Sequence, residues 1–152
     1  MPERVSMLAE LAEYTGFDDA DADALLEARP VVEPAFPEIV DAFYDAIERS
    51  PGALRAMREG PAQVDRLKGS LHRWLEGVFG GVYDHAYLVR RARIGRMHVR
   101  MELDQRYMFA AMSVLRTALH EALTTRAEGW SRARLDRTHR AIDRICDIEL
   151  AI

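Results

Sequence analysis

Five histidines, at positions 72, 85, 98, 120 and 139, are the side chains of this sequence best able to do chemistry, and their spacing narrows what that chemistry is. No two stand three or four residues apart, as a zinc or two-metal site on one helix needs, and no Glu-x-x-His occurs. Gly80-Gly81 has no phosphate-loop Lys and Ser or Thr after it, and there is no Gly-x-Ser-x-Gly elbow. The single Cys146 cannot form an internal disulfide; in a stripe with Ile142, Ile145 and Ile148 it reads as a small core or interface residue. His98 is different. It lies in Arg93-Ile94-Gly95-Arg96-Met97-His98-Val99-Arg100, with Tyr87, Arg91, Ile94 and Met101 at helical spacing along the same side. A lone imidazole on such a stripe is either a satisfied core residue or the single protein ligand of a haem iron, whose other four nitrogens come from the porphyrin. Spacing alone leaves both open.

The elements that must position His98 are helical. Every long periodic segment has the 3.6-residue period, and none alternates with the β-branched and aromatic bias of a strand. A first helix covers about Ser6 to Tyr14 and stops at Thr15-Gly16, and Asp18 and Asp19 cap a short second one that Pro30 should end. From Pro37, Val40, Phe43, Tyr44 and Ile47 mark a helix whose buried face carries a phenol. Ser50-Pro51-Gly52 closes it or tightens it into a corner, and a weaker turn follows over Leu54 to Arg58. Val64, Leu67, Leu71, Trp74, Leu75, Val78 and Phe79 form the clearest amphipathic helix, closed by Gly80-Gly81. The His98 helix runs from about Tyr87 to Arg100, and two long ones follow, about Gln105 to Arg126 and Arg132 onward. In the first of these, Tyr107, Ala111, Val114 and Ala118 adjoin a second stripe of Met108, Met112, Leu115, Leu119 and Leu123. That arc is wider than one contact needs. A partner subunit is its simplest explanation, and Leu135, Ile142, Ile145 and Ile148 on the final helix point the same way, toward a homodimer through the last two helices.

A chain of 152 residues suits one domain, spanning 1–152, large enough to enclose a ligand of porphyrin size. Apolar residues make up 49% and charged ones 30%, an ordinary globular composition. The 21 Lys and Arg are outnumbered by 25 Asp and Glu, so nucleic acid is not an expected partner, and the basic stretch from Arg90 to Arg100 reads as a solvated face. No apolar run resembles a signal peptide or membrane span, which makes the cytoplasm the default compartment.

Several blocks in order, Phe43-Tyr44, then Asp65 to Trp74, then Phe79 to Asp84, then Arg91 to Arg100, then Arg106-Tyr107-Met108, resemble the sensor domain of the globin-coupled sensors and their protoglobin relatives over nearly the whole chain. The resemblance implies an all-α globin fold of about seven to eight helices with a modified N-terminal part. It implies haem b as cofactor, His98 as proximal ligand, Tyr44 as distal tyrosine, and Leu67 and Ser70 closing over a bound gas. Leu71, Trp74, Ile94, Met97, Met101 and Tyr107 complete the expected pocket. Ligation is expected through His98 Nε2, with Nδ1–H directed at a backbone carbonyl near Ile94. The sequence departs from the family after the histidine, where Glu102 and Asp104 stand in place of a common Gly and Pro, so that turn is expected to differ.

The expected function is reversible binding of oxygen, carbon monoxide or nitric oxide for sensing, without catalysis, in a free-standing globin or beside an output domain. His72 competes as a ligand, although an outward surface role fits it better; His85, His120 and His139 read as solvated or interface residues. A haem-free regulatory or dimerisation module stays open, and so does a haem enzyme of the peroxidase or nitric oxide dioxygenase kind.

Overall fold

Short polar residues set most of the helix starts. In the computed structural model, which describes residues 6–55, 57 and 60–152, Ser6, Asp18, Ser50, Asp84, Asp104 and Ser131 each accept a hydrogen bond from a backbone N–H two or three residues on. They open α1 (Met7–Thr15), α2 (Asp19–Val32), α4 (Pro51–Leu54), α6 (His85–Arg100), α7 (Gln105–Arg126) and α8 (Arg132–Ala151). The other two, α3 (Phe36–Glu48) and α5 (Pro61–Val78), carry proline in the first turn, where the missing N–H costs nothing. Among the described residues there is no strand, only these helices and one 3₁₀ turn, Glu33–Ala35.

Two boundaries differ from the sequence expectation. Pro30 does not end α2, which continues through it to Val32. Ala28 and Val32 are fully buried, and the carbonyl left without its helical N–H belongs to Leu26, a residue 48% exposed where water can serve it. Burial on the far side of the proline thus outweighs a local cost of about 3 kcal/mol. The turn expected over Leu54 to Arg58 lies partly outside the described residues; the described helix there is α4, one turn earlier.

The core forms where α8 lies against α7, α2 and α1, with α2 and α3 also against α7. Leu25, Phe36, Leu119, Leu123, Ile142 and Ile145 are fully buried in it. Ile142, Ile145 and Ile148, expected to support a partner interface, are therefore core residues of this chain. Cys146 is buried with them, and burial pushes its thiol up to about 12, which leaves it inert. In contrast, α6 takes no part in the more extensive helix–helix packing among the described residues. Buried side chains join it to α5 and α8.

His120 and His139 join α7 to α8, their Nδ1 atoms 2.6 Å apart. His120 Nε2 reaches Asp143 Oδ1 at 2.8 Å, and Thr124 lies 3.3 Å from His139 Nε2. One proton fits between the two Nδ1 atoms. Burial, then the neighbouring His120, hold His139 below the ordinary histidine range, against the attraction of Asp143 and Asp136. A folded-state value below the unfolded one means that the unfolded chain takes up more protons as pH falls, so this contribution is present above the ordinary imidazole pKa and lost below it. Between about pH 7.5 and 5.5 the melting temperature is expected to fall less in His139→Gln than in the wild type. Parallel curves would remove the pair from that role.

Candidate functional site

A cavity of about 320 Å³ opens between α3, α5, α6 and α7, within the range of small-molecule and cofactor pockets. Its wall is overwhelmingly apolar. From α3 it takes Phe43, Tyr44 and Ile47, and from α5 Leu67, Ser70, Leu71 and Trp74. From α6 come Ile94, Met97 and His98, with Met101 just beyond, and from α7 come Tyr107, Met108, Ala111, Met112 and Leu115. All ten residues singled out from the sequence thus line one space. The wide arc of α7 has its explanation here: Met112 and Leu115 reach core and cavity together, and Tyr107, Met108 and Ala111 face the cavity. An empty-walled pocket needs apolar side chains as much as a protein partner does, so the arc by itself is no evidence of a subunit.

His98 is half-buried on this wall, and neither ring nitrogen bonds a described residue; Nδ1 is buried without any partner. The expected acceptor near Ile94 is not used. That carbonyl belongs to the backbone ladder of α6, and the neighbouring Ile94, Met97 and Met101 side chains are apolar. Burial holds the imidazole below the ordinary histidine range, so at neutral pH it is uncharged and its lone pair is free. With neither nitrogen engaged by a described residue, the ring is available to an occupant of the cavity. A porphyrin iron needs one neutral imidazole and an apolar envelope, and these residues fit it.

The helix bearing His98 ends in a tight cap. Leu103 N–H donates to the His98 carbonyl at 3.1 Å and Glu102 N–H to that of Val99 at 3.0 Å, the paired bonds of a Schellman turn. Glu102 sits at its left-handed position with φ +54°. The turn therefore keeps the geometry that glycine favours although the residue is glutamate. Glu102→Gly is expected to raise stability by about 1 kcal/mol in chemical denaturation, and a loss of stability would show that the glutamate side chain compensates.

The two hydroxyls expected to face a ligand are unequal. Tyr44 is 7% exposed, burial pushes its phenol up to about 12, and its hydroxyl bonds no described residue, so it is a protonated and unused donor. Ser70 stands at the exposed rim, where it donates to the Arg66 carbonyl at 3.3 Å and accepts from Arg73 at 3.2 Å. His72 does not line the cavity; it meets Glu76 at 3.3 Å and lies edge-on to Phe36. The competing-ligand role is not what its surroundings support.

Sequence spacing missed the charged pair in the wall, Arg91 and Glu149, whose Nε and Oε1 atoms are 2.7 Å apart. Burial pushes the Glu149 carboxyl above the ordinary carboxylate range, while Arg91 and the donors of Tyr87 and Trp74 pull it back. The only sequence signal was a pair of charges at apolar stripe positions, Arg91 two turns before His98 and Glu149 one turn after Ile145.

This architecture has relatives. The heme-based aerotactic transducer HemAT of Halobacterium salinarum is 31% identical over 110 residues, which is 72% of this chain but only 22% of the transducer. The globin domain of a globin-coupled sensor from Geobacter sulfurreducens superposes with a TM-score of 0.82 at 26% identity, over 93% of this chain and 91% of that one. The helices thus form a globin fold of the sensor type. Residues 5–152 match the family described as Protoglobin. With fold, sequence match and coverage in agreement, the chain belongs to the protoglobin family.

Proposed function

We propose that this chain is a haem-binding globin domain that senses a diatomic gas through His98. One observation carries the proposal: a neutral imidazole without a protein partner, on the wall of an apolar cavity that also holds the unused Tyr44 hydroxyl. Haem b, when bound, would supply a ferrous iron with one position left for a gas. His98 would hold the iron through its neutral imidazole, and Leu67, Leu71, Trp74, Ile94, Met97, Met101 and Tyr107 would form the apolar envelope. Tyr44 would offer its hydroxyl as a donor within the same cavity, which would favour a ligand that gathers negative charge, such as oxygen, over carbon monoxide. Ser70 tunes the rim. HemAT is named an aerotactic transducer, and binding and reporting, not catalysis, is the corresponding role here.

The haem-free alternative requires side chains to fill the pocket, and the open cavity speaks against it. Spectra of the purified protein, reduced and then exposed to air and to carbon monoxide, test the choice. A Soret band that shifts with each gas is expected, and no such band after haem reconstitution would overturn the proposal.

Partners belong to the same proposal. HemAT is named a transducer, and an output region coupled to this domain is the corresponding role here. A homodimer through α7 and α8 rests on Phe109, half exposed beside Ala110, Ser113 and Thr117 on one face of α7, and a monomer mass in sedimentation would exclude it. Among the described residues no helix is long and apolar enough to cross a membrane; a cytoplasmic site remains part of the proposal.

A further inference from the structure

Arg91 and Glu149 are an ion pair inside the protein, with side chains 6% and 5% exposed. Three helices meet at it. Arg91 comes from α6, two turns before His98, and Glu149 comes from α8. Trp74, from α5, donates its indole N–H to Glu149 Oε2 at 3.3 Å, and its carbonyl accepts from Arg91 Nη2 at 3.0 Å. Tyr87 on α6 donates to the same carboxylate, and its ring lies 4.5 Å from the guanidinium carbon. A Cβ at Gly77 would stand 2.8 Å from Arg91 Nη2, so α5 admits the guanidinium by having no side chain there.

The pair forms part of the cavity wall, and among the described residues α6 takes no part in the more extensive helix–helix packing. The buried side chains that join it to its neighbours therefore matter for where it sits. Among the described residues, the hydrogen bonds from α6 side chains to other helices all converge on Glu149 and Trp74.

We infer that Glu149 is a positioning residue: through Arg91 it ties the His98 helix to α8, so that filling the cavity and ordering the last turns of α8 are one coupled equilibrium. This rests on the haem reading above. Coupling is reciprocal, so the factor by which an occupied cavity steadies α8 is the factor by which an ordered α8 raises affinity for the occupant. A residue that merely supported the fold would lower the melting temperature without linking the two.

Hemin titration of the apo-protein, followed at the Soret band, is paired with hydrogen exchange of residues 145–152 with and without hemin. In the wild type, hemin is expected to raise the protection of those amides. Glu149→Gln is expected to bind hemin about tenfold more weakly, with no gain in protection. Should that variant fail to fold, the double change Arg91→Met with Glu149→Leu, which removes both buried charges, is read by the same criteria. Equal protection gains in wild type and variant overturn the inference alone. Absence of a Soret band in the wild type overturns the haem reading and the inference with it.

Discussion

His98→Ala is expected to weaken haem binding by at least about a hundredfold, ~2.8 kcal/mol at ~1.4 kcal/mol per decade, with loss of the five-coordinate ferrous spectrum. Neither ring nitrogen of His98 bonds a described residue, so the substitution breaks no hydrogen bond, and alanine is the strongest helix former for that position in α6. The apo-protein should therefore melt close to the wild type. The loss is chemical and not structural, which predicts a rescue: free imidazole, admitted to the space left by the side chain, should restore a histidine-like spectrum. Unchanged hemin affinity in His98→Ala would assign the iron to another residue. His72 is a poor substitute, because it lies outside the cavity and meets Glu76.

Tyr44→Phe is expected to speed oxygen dissociation by about tenfold to a hundredfold, since a donor bond to a charged acceptor is worth about 1.5–3 kcal/mol in a dry site. Carbon monoxide dissociation should change far less, because that ligand gathers little negative charge. The comparison isolates the hydroxyl. Phenylalanine fills the same buried place against Phe43, so packing is preserved. Equal effects on both gases would point to a steric role for Tyr44, and no effect on either would remove it from the site. Ser70→Ala provides the contrast: its hydroxyl is already engaged with Arg66 and Arg73 at the rim, and a smaller change is expected.

Much of the site was legible because it depends on neighbours along the chain. His98, Ile94 and Met101 share a face through spacing alone, as do Leu67, Leu71 and Trp74, and both sets line the cavity. Tyr44 followed from its position after Phe43 in a recognisable order of blocks. The errors have one source. Pro30 was read by its local preference, which burial of Ala28 and Val32 overrode. The arc of α7 was read as apolar surface in need of a protein partner, whereas part of it faces the pocket. Spacing does not set the orientation of a ring, so the acceptor expected for His98 Nδ1 is not met.

Caps and 3.6-residue stripes along the chain are enough to set the helices, and enough to put one imidazole on an apolar side of α6. These are short-range properties: a capping hydroxyl acts over three residues and a stripe over a few turns. It takes the packing of the whole chain to make the stripes of four helices enclose a cavity, to leave Tyr44 unused while Ser70 is engaged, and to bring Arg91 to Glu149 across 58 positions of the chain. An ion pair of that kind is stable because three helices exclude water around it, and no pattern within one helix records which distant partner will do so.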